Sequence, residues 1–351
     1  MILRGKKTFP APERILVTQL RRIGDALLCT PAVRALAKRF PDAALDFLTQ
    51  PPCVEVFGGN PYVREVLVAP TDRTIRSFLR IARQLRHRRY DWVVDFFSNP
   101  RSAQYTYLTG ARVRVGLDRL GRRWGYTHHA VEEAEDRDLY AVDLRLKILE
   151  RLGVESAGRE LEIYSDHHSE EARNRINALL EQVDCSRPLV AVATGTANPA
   201  KFYPPDLTAQ VIAGLQAEGL SVIVTSGPGE TALAKQAIGV LNRPIPHLED
   251  ARTTTLAALY RRVSAYTGPD SAPKHIAAAC GIPTVAYFGA GRPANWHDAQ
   301  NPRDLLLIAP CDLRPRCTRA DCAKRQCLRK IPPADVCRSV VRLLKKQETQ
   351  S

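Results

Sequence analysis

The stretch that decides the fold reads Tyr266-Thr-Gly-Pro-Asp-Ser-Ala-Pro-Lys-His-Ile-Ala-Ala-Ala-Cys-Gly-Ile-Pro-Thr-Val-Ala-Tyr-Phe-Gly289. A Gly-Pro turn opens it, and a short helix follows that Asp270 or Ser271 can cap and that Gly281 ends. The apolar run Thr284–Phe288 has the length of a buried strand. A helix start after a tight loop presents unpaired N–H groups and the positive end of the helix dipole. The stretch is therefore either an anion site, most often for phosphate, or an ordinary connection between two strands.

Short apolar runs alternate with amphipathic helical segments along the whole chain, which is the pattern of α/β domains with parallel sheets. The alternation begins again at the apolar run 188–193. We therefore predict two βα-repeating domains, over 14–170 and 186–330. A loose leader is expected before them, over 1–13, and a C-terminal helix after them, within 331–351.

The composition is that of a globular protein with two domains of ordinary size. No apolar run approaches the roughly 18–20 residues that a membrane span needs. The basic first residues are followed by no apolar segment of a secretory signal, so we expect a cytoplasmic protein. In that compartment, the 9 cysteines should be reduced, bound to metal or redox-active rather than paired in structural disulfides.

Positive charge is concentrated in two parts of the chain. The whole sequence has 51 Lys and Arg against 37 Asp and Glu, a net charge of +14. Residues 73–123 contain 13 arginines against three acidic residues, and residues 303–346 contain 12 basic against four acidic residues. Localised basic surface indicates an anionic partner, which can be nucleic acid, an anionic membrane face or a phosphorylated substrate. Since nucleic-acid-binding motifs are missing and aromatic residues are few, we expect no nucleic-acid partner.

Three pieces of the sequence carry a resemblance to a known family. The first reads Arg14-Ile-Leu-Val and then Arg22-Ile-Gly-Asp-Ala-Leu-Leu-Cys-Thr-Pro-Ala-Val-Arg-Ala-Leu36. The second is Lys201 in a loop rich in proline and aromatic residues, and the third is the deciding stretch. In this order and spacing they resemble glycosyltransferase family 9, the ADP-heptose:lipopolysaccharide heptosyltransferases, over residues 14–345.

The resemblance implies an α/β protein with the GT-B fold, in which two Rossmann-like doubly wound domains face each other across a cleft. Ligands of such domains bind at the carboxyl ends of the strands. The N-terminal domain would bind the acceptor and the C-terminal domain the nucleotide-sugar. The last helix of such enzymes commonly packs back on the N-terminal domain, which we expect of the helix within 331–351.

Asp25 is the predicted general base. Glycosyl transfer with inversion needs a carboxylate that takes the proton from the acceptor hydroxyl as this hydroxyl attacks the sugar. In the family, the Asp of the Gly-Asp pair after the first strand has this role, and the resemblance assigns it to Asp25. The alternative is that Asp25 only caps the following helix. Arg22 and Arg101 are predicted to bind the acceptor.

Lys201 is the predicted phosphate clamp, because the charge that develops on the leaving nucleoside diphosphate needs a cation or a dipole. The alternative is a solvated lysine in a loop. Thr194 and Thr196 flank the same loop and could donate hydrogen bonds to phosphate or sugar. The family resemblance implies catalysis without a divalent metal, and the sequence has no Asp-x-Asp metal motif. We therefore expect neither a metal nor a cofactor.

In the deciding stretch, backbone N–H groups around Ser271 and Ala272 would bind the diphosphate. Many family members have Thr-Gly or Ser-Gly where this chain has Ser271-Ala272, which weakens the case for a close backbone approach. Asp270 would orient sugar hydroxyls or cap the helix, and His275 would contact phosphate or pack in the core. Glu230 begins a helix after a strand, where an acid can hold ribose hydroxyls or complement the helix dipole.

Five cysteines follow one another near the C-terminus: Cys311, Cys317, Cys322, Cys327 and Cys337. Their spacing is not that of the Cys-x2-Cys pairs of a typical zinc site. We interpret them as packed thiols or as bridges formed on oxidation, with a zinc site as the alternative.

The arginine-rich helix over 74–89 and the loop over 112–123 belong to the acceptor domain. They could contact the phosphates and carboxylates of a lipopolysaccharide core, or the anionic surface of the inner membrane. The alternative is a solvated, arginine-rich face.

The sequence therefore predicts an inverting, metal-independent glycosyltransferase that moves heptose from ADP-heptose to a lipopolysaccharide core acceptor. It would work in the cytoplasm, at the inner face of the membrane. Two alternatives stay open: a GT-B glycosyltransferase with another donor or acceptor, and a non-catalytic protein that binds nucleotide-sugars.

Overall fold

The structure is a computed structural model, and it describes the following segments of the chain: residues 1–5, 9–72, 74–164, 170–196, 201–289, 291–311 and 327–349. The chain divides into two compact units, Met1–Tyr164 and Ser165–Ser351. Each unit is an α/β layer structure built on its own sheet. Across the described segments, every helix is too short or too polar to span a lipid bilayer.

The first unit contains a seven-stranded sheet. Its strands are β1 (Ile2–Arg4), β2 (Arg14–Thr18), β3 (Ala44–Thr49), β4 (Glu65–Val68), β5 (Trp92–Asp95), β6 (Val113–Leu117) and β7 (His128–Val131). Its helices are α1 (Ile23–Leu27), α2 (Thr30–Arg39), α3 (Ile75–His87), α4 (Pro100–Thr109) and α5 (Ala141–Glu150). The order across the sheet is β1-β7-β6-β5-β2-β3-β4, and all neighbours are parallel except β1 and β7.

Strand β2 lies at the centre of this sheet because its apolar side chains are covered on both faces. Ile15, Leu16 and Val17 are fully buried, as expected of a strand between two parallel neighbours. From β2 the chain continues through β3 and β4 towards one edge, and it returns to place β5, β6 and β7 on the other side. The carboxyl ends of β2 and β5 therefore form the switch point at which doubly wound domains bind ligands.

The first residues form part of this sheet, so the predicted loose leader was wrong. Strand β1 pairs antiparallel with β7. The Phe9 ring then lies 6.0 Å from the Trp92 ring, and the Trp92 indole N–H donates to the Pro10 carbonyl at 2.9 Å. A three-residue strand gives too weak a sequence pattern to predict, because its position depends on a distant partner.

The second unit contains a six-stranded sheet. Its strands are β8 (Leu189–Ala193), β9 (Ser221–Thr225), β10 (His247–Leu248), β11 (Ala265–Pro269), β12 (Thr284–Phe288) and β13 (Asp304–Ile308). Its helices are α6 (Glu170–Leu180), α7 (Pro205–Ala217), α8 (Thr231–Val240), α9 (Thr253–Tyr260), α10 (Ala272–Ala279) and α11 (Pro333–Glu348). The order is β10-β9-β8-β11-β12-β13, and all neighbours are parallel. The switch point lies between β8 and β11, since the chain leaves β8 towards one edge and β11 towards the other.

The last helix, α11, is part of the core of the second unit. Val336 and Val340 are fully buried in it, and the Cys337 thiol donates to the Val211 carbonyl of α7 at 3.5 Å. Gly214 of α7 leaves room for this approach, since a Cβ there would lie 2.8 Å from the Cys337 sulfur. We expected this helix to pack back on the N-terminal domain. Its apolar face is buried against α7, β11 and β12 of the second unit, and packing on the N-terminal domain stays a prediction.

Candidate active site

Three predicted donor-binding residues directly follow, or lie close after, neighbouring strands of the second sheet. Thr194 follows β8, Glu230 lies in the turn after β9, and Asp270 follows β11. Since β9, β8 and β11 are adjacent and parallel, their carboxyl ends meet at one edge of the sheet. The fold thus brings these residues to the edge where doubly wound domains bind nucleotides.

Lys201 and Asp270 form an ion pair at this edge. The Lys201 Nζ lies 2.7 Å from Asp270 Oδ2 and 2.8 Å from the Asp270 carbonyl oxygen. Asp270 is buried, while Lys201 is partly exposed. The N-cap position of α10 is occupied by Ser271, so Asp270 does not have the capping role that was its alternative. Its carboxylate is held by Lys201 instead.

Three buried polar atoms near this edge have no hydrogen-bond partner among the residues that the structure describes. They are Asp270 Oδ1, Thr194 Oγ1 and His275 Nδ1, on side chains that are 2%, 6% and 4% exposed. A buried polar atom without a partner costs about 1–3 kcal/mol. Such atoms are rare and mark positions where a polar ligand would complete the hydrogen bonding.

His275 is a buried, neutral imidazole. Burial, together with the charge of the neighbouring Lys274, lowers the pKa of His275 to about 3. Its ring centroid lies 6.5 Å from that of Trp296. A neutral ring can present one donor and one acceptor, so His275 packs in the core and still offers a nitrogen to a ligand.

Glu230 is fixed by a contact that the sequence analysis missed. Its carboxylate accepts a hydrogen bond from the Gly227 N–H at 3.1 Å, and burial raises its pKa. A Cβ on Gly195 would lie 2.0 Å from Glu230 Oε2. The loops after β8 and β9 are therefore in contact at Gly195. Thr196, the next residue in the loop after β8, is also buried. A glycine between two predicted ligand-binding threonines was the only signal in the sequence.

The helix α10 starts without a side-chain cap. Ser271 occupies the capping position with an extended backbone, and its hydroxyl does not bond to the helix N–H groups. Ala272 is the first helical residue. The strand before it runs close to β8, because a Cβ on Gly268 would lie 3.0 Å from the Ala193 carbonyl oxygen. First-turn N–H groups of a helix have no partners within the helix, and they suit an anion.

A buried ion pair links α10 to the start of β13. Lys274 Nζ lies 2.7 Å from Asp304 Oδ2 and donates to the Trp296 carbonyl at 2.8 Å. The Thr284 hydroxyl donates to the other Asp304 oxygen at 2.6 Å. Although burial opposes ionisation, the Lys274 charge holds the pKa of Asp304 well below its usual range. This pair was not predicted, and its signal was a lysine in an otherwise apolar helix.

Asp25 lies in α1, directly after the central strand of the first sheet. Its Oδ2 accepts a hydrogen bond from the Arg22 N–H at 3.3 Å, which caps the helix. Its Oδ1 lies 3.8 Å from Arg145 Nη2, and the side chain is 24% exposed. Asp25 thus does cap its helix with one oxygen, while its other oxygen lies beside a guanidinium. The capping role leaves the predicted catalytic role open.

Two further residues lie around this switch point, and neither was predicted. Asp95 ends β5, where its carboxylate accepts from the Tyr126 hydroxyl at 2.7 Å and the Ser98 N–H at 3.0 Å. Burial raises the pKa of Asp95 to about 6. The Arg145 guanidinium lies 5.9 Å from the Phe96 ring. A carboxylate at the end of an apolar strand was the available signal for Asp95, whereas Arg145 comes from a distant helix.

The two predicted acceptor-binding arginines occupy different places in the first unit. Arg22 is exposed at the start of α1. The Arg101 guanidinium lies 4.9 Å from the Phe78 ring. It lines a groove of about 670 Å³ between the starts of α3 and α4, together with Thr74, Ile75, Phe78, Pro100 and Gln104.

No group of three or more His, Cys, Asp or Glu residues in the described part of the chain could hold a metal ion. Cys311, Cys327 and Cys337 are free thiols, and Cys337 and Cys327 pack in or against the core of the second unit. Cys317 and Cys322 lie outside the described residues, so the zinc alternative for the full cluster stays a prediction.

Comparisons with known proteins agree with this architecture. The sequence model of glycosyltransferase family 9 (heptosyltransferase) matches residues 78–325. Lipopolysaccharide heptosyltransferase 3 of Escherichia coli is 28% identical over 345 residues, which cover 94% of this chain and 99% of that protein. The glycosyltransferase family 9 structure from Veillonella parvula DSM 2008 superposes with a TM-score of 0.83 at 22% identity, covering 95% of this chain and 98% of that one. Escherichia coli ADP-heptose lipopolysaccharide heptosyltransferase II superposes with a TM-score of 0.73 at 20% identity, covering 95% and 99%.

Two doubly wound parallel sheets, with polar residues gathered at the carboxyl ends of their strands, are the GT-B arrangement of these structures. The protein is therefore a glycosyltransferase of the GT-B class. It belongs to glycosyltransferase family 9, the heptosyltransferase family, whose sequence model matches well over half of the chain. The predicted fold class and family are confirmed.

Proposed function

We propose that the protein is an inverting glycosyltransferase that moves heptose from ADP-heptose to a lipopolysaccharide core acceptor at the cytoplasmic face of the membrane. The observation that carries this proposal is the group of buried, unpartnered polar atoms beside the Lys201–Asp270 pair. The names of the relatives support the choice of substrates, since one is a lipopolysaccharide heptosyltransferase and another an ADP-heptose enzyme.

The donor side would act by balancing the charge of the leaving nucleoside diphosphate. Lys201 supplies a cation, and the uncapped start of α10 at Ser271 and Ala272 supplies N–H groups and a dipole. The unpartnered nitrogen of the neutral His275 would bond to a phosphate oxygen. The scheme assigns the compensating charge to Lys201 and the helix dipole rather than to a divalent metal.

The nucleoside and the sugar would bind through the carboxylates of the same edge. The Glu230 carboxylate can accept from ribose hydroxyls beside its bond to the Gly227 N–H. Asp270 keeps one oxygen on Lys201 and can accept a sugar hydroxyl with the other. Thr194 can donate or accept with its unpartnered hydroxyl, and Thr196 belongs to the same loop.

On the acceptor side, Asp25 would take the proton from the attacking hydroxyl. Its partly exposed carboxylate meets the requirement that a general base be reachable by a substrate. The Arg145 guanidinium lies 3.8 Å from Oδ1 of this carboxylate and would help to orient it. Arg22 and Arg101 would bind the anionic groups of the acceptor, as arginines do with carboxylates and phosphates.

The variant Asp25→Asn tests this assignment. The amide keeps an oxygen that can accept from the Arg22 N–H, so the helix cap is preserved while the base is removed. We expect the transfer rate to fall by about 10²–10⁴-fold, with unchanged binding of ADP. The matched control is Asp42→Asn, an exposed aspartate of the same unit, which should transfer at the wild-type rate. Full activity of Asp25→Asn would reject Asp25 as the base. A wild-type chain that binds ADP-heptose but transfers nothing would favour a binding protein.

The donor can be identified separately by thermal-shift measurements with ADP, UDP, GDP and CMP sugars. We expect ADP-heptose to raise the unfolding temperature of the protein, because a ligand that binds only the folded state stabilises that state. A shift with UDP sugars and none with ADP sugars would reject the heptosyl assignment while leaving the glycosyltransferase class in place.

A further inference from the structure

The loop after β12 brings an aromatic side chain to the proposed donor-binding edge of the second sheet. Trp296 lies in this loop, and its ring centroid is 6.5 Å from that of His275, with 62° between the two ring planes. This is within the range of an edge-to-face aromatic contact. His275 is buried with an unpartnered Nδ1 in the described part of the chain, whereas Trp296 is partly exposed. A ligand that bonds to His275 would therefore come close to the indole.

Buried charges fix the loop that carries Trp296. Lys274 Nζ donates to the Trp296 carbonyl at 2.8 Å and pairs with Asp304 Oδ2 at 2.7 Å. The Asp298 N–H donates to the same Asp304 oxygen at 3.2 Å. Desolvation offsets much of the attraction within a buried ion pair, so the pair adds less to net stability than to the choice of one loop arrangement. It holds Trp296 beside α10.

The order of the strands places Trp296 on one side of the proposed diphosphate position. Across the sheet, Glu230 comes after β9, Asp270 after β11 and the Trp296 loop after β12. The Lys201 ammonium already lies 5.7 Å from the ring of Phe288, the last residue of β12. In a nucleoside diphosphate sugar, the diphosphate joins the ribose to the transferred sugar. With the ribose at Glu230 and the diphosphate at the start of α10, the sugar extends towards β12 and Trp296.

We propose that Trp296 is a specificity-determining residue that packs against the transferred sugar of the donor. The flat indole can cover the apolar C–H face of a sugar ring. Its N–H can donate to a sugar hydroxyl, since it has no acceptor among the residues that the structure describes. The nucleobase is excluded as the occupant, because it would lie beyond Glu230 at the opposite side of the diphosphate.

This inference rests on the proposed function for the presence of a nucleoside diphosphate sugar. It adds where the sugar lies and which side chain selects it. Binding of a nucleotide-sugar by the wild type tests the proposed function, and the difference between the wild type and a Trp296 variant tests the inference. A wild type that binds no nucleotide-sugar would overturn both, whereas an unaffected Trp296 variant would overturn the inference alone.

The test is isothermal titration calorimetry of the full chain with ADP and with ADP-heptose. For Trp296→Ala we expect about tenfold weaker binding of ADP-heptose, because the ring contact with the sugar is lost. The affinity for ADP should be unchanged, since ADP has no sugar at this position. Trp296→Phe keeps an aromatic face and should lose only about threefold for ADP-heptose. If the thermal-shift measurements select another nucleotide, that nucleotide and its sugar conjugate replace the ADP pair.

Trp124→Ala is the matched control for the calorimetry. Trp124 is 50% exposed and belongs to the first unit, so this variant should bind ADP and ADP-heptose as the wild type does. Thermal unfolding followed by circular dichroism should show that the variants are folded.

Tryptophan fluorescence gives a second readout that does not require Trp296→Ala to fold. The chain has three tryptophans, and Trp92 is fully buried in the first unit. In the variant Trp124→Phe, ADP-heptose should therefore change the emission of Trp296, and ADP should change it much less. The double variant Trp124→Phe/Trp296→Phe should show neither change.

Three results would overturn the role of Trp296. One is that Trp296→Ala binds ADP-heptose as tightly as the wild type does. Another is that this variant is folded and loses affinity for ADP and ADP-heptose by the same factor, because the contact would then be with the nucleotide. The last is that ADP-heptose leaves the emission of Trp124→Phe unchanged while calorimetry shows that it binds.

Discussion

A single carboxylate, Asp270, shows how the proposed donor-binding edge of the second sheet would combine folding with ligand binding. One of its oxygens is held by Lys201, and the other is buried without a partner. The ion pair offsets the cost of burying the charge, so the second oxygen can stay unsatisfied until a ligand arrives. The same ion pair positions the Lys201 ammonium group for the proposed interaction with a diphosphate.

At the residue scale, Asp95 predicts a measurable dependence of stability on pH. Burial raises its pKa from 3.8 to about 6, so the native state holds the proton more tightly than the unfolded state does. Tighter binding of this proton by the native state therefore adds its full amount to the free energy of unfolding below about pH 4. This contribution is lost as the pH rises through about 6. We expect Asp95 to lower the free energy of unfolding by about 2 kcal/mol between about pH 4.5 and pH 7.

The variant Asp95→Asn removes this titration and keeps the hydrogen bonds, since its amide oxygen can accept from Ser98 N–H and its amide N–H can donate to Tyr126. Urea unfolding at the two pH values measures the effect. The stability of the variant relative to the wild type should rise with pH, whereas Asp42→Asn, on the exposed control residue, should show a difference within about 0.5 kcal/mol. If the free energies of unfolding of Asp95→Asn and the wild type differ by the same amount at both pH values, then the pKa of Asp95 is not raised in the native state.

At the scale of elements, the close contact of α7 with α11 predicts opposite effects of two Gly→Ala substitutions. A Cβ on Gly214 would lie 2.8 Å from the Cys337 sulfur, whereas one on Gly239 of α8 would meet no atom within 4 Å. Gly239→Ala should stabilise by about 0.5–1 kcal/mol through helix propensity. Gly214→Ala should destabilise by about 1–3 kcal/mol through overpacking.

Urea unfolding followed by circular dichroism measures both substitutions. Cys337→Ala removes the obstructing sulfur, so the cost of Gly214→Ala should shrink in that background, which a double-mutant cycle detects. If Gly214→Ala stabilises as much as Gly239→Ala does, then α11 does not pack against α7 at this distance.

Elements with a strong local pattern were predictable from the sequence. The arginine-rich helix predicted over 74–89 corresponds to α3, which begins at Ile75 because the Thr74 hydroxyl accepts from the Ser77 N–H at 3.2 Å. The strand Thr284–Phe288 has the predicted bounds. Strands β1, β7, β10 and β13 were missed, because they are short or follow irregular loops and owe their structure to neighbouring strands.

The candidate site was predictable as a set of residues but not as a set of contacts. Lys201, Asp270 and Glu230 stand out because they follow strands, and the fold places Glu230 and Asp270 after β9 and β11, the two strands that flank β8. Their mutual contacts are long-range: Lys201 pairs with Asp270, and Gly195 packs against Glu230. Local sequence carries no information on such pairs. For the same reason Arg145, which comes from α5 to meet Asp25, was missed.

At the scale of the whole molecule, the two units should respond differently to nucleotide. The proposed donor residues all lie in the second unit, Ser165–Ser351, and the proposed base lies in the first, Met1–Tyr164. We expect ADP at about 100 times its dissociation constant to stabilise the bound state by about 2.7 kcal/mol. Hydrogen exchange of backbone amides should slow in the loops after β8, β9 and β11.

Mass spectrometry of peptides from both units measures this exchange. UDP serves as the control nucleotide and should give little slowing at the same concentration. Slowing that is confined to the first unit would place the nucleotide there and would reject the assignment of Lys201, Glu230 and Asp270 to the donor.

The adjacency of β8 and β11 has a consequence for the time course of folding. Val190 lies beside Ala265, although β9, β10 and three helices are formed by the chain between them. This pairing must close a long loop, which is slow because the entropy of closure is lost before the contact is gained. Thr194 and Asp270 become neighbours only when it forms. During refolding, the proposed nucleotide binding should therefore return after the helices have re-formed, and in a newly synthesised chain it should be one of the last properties to appear.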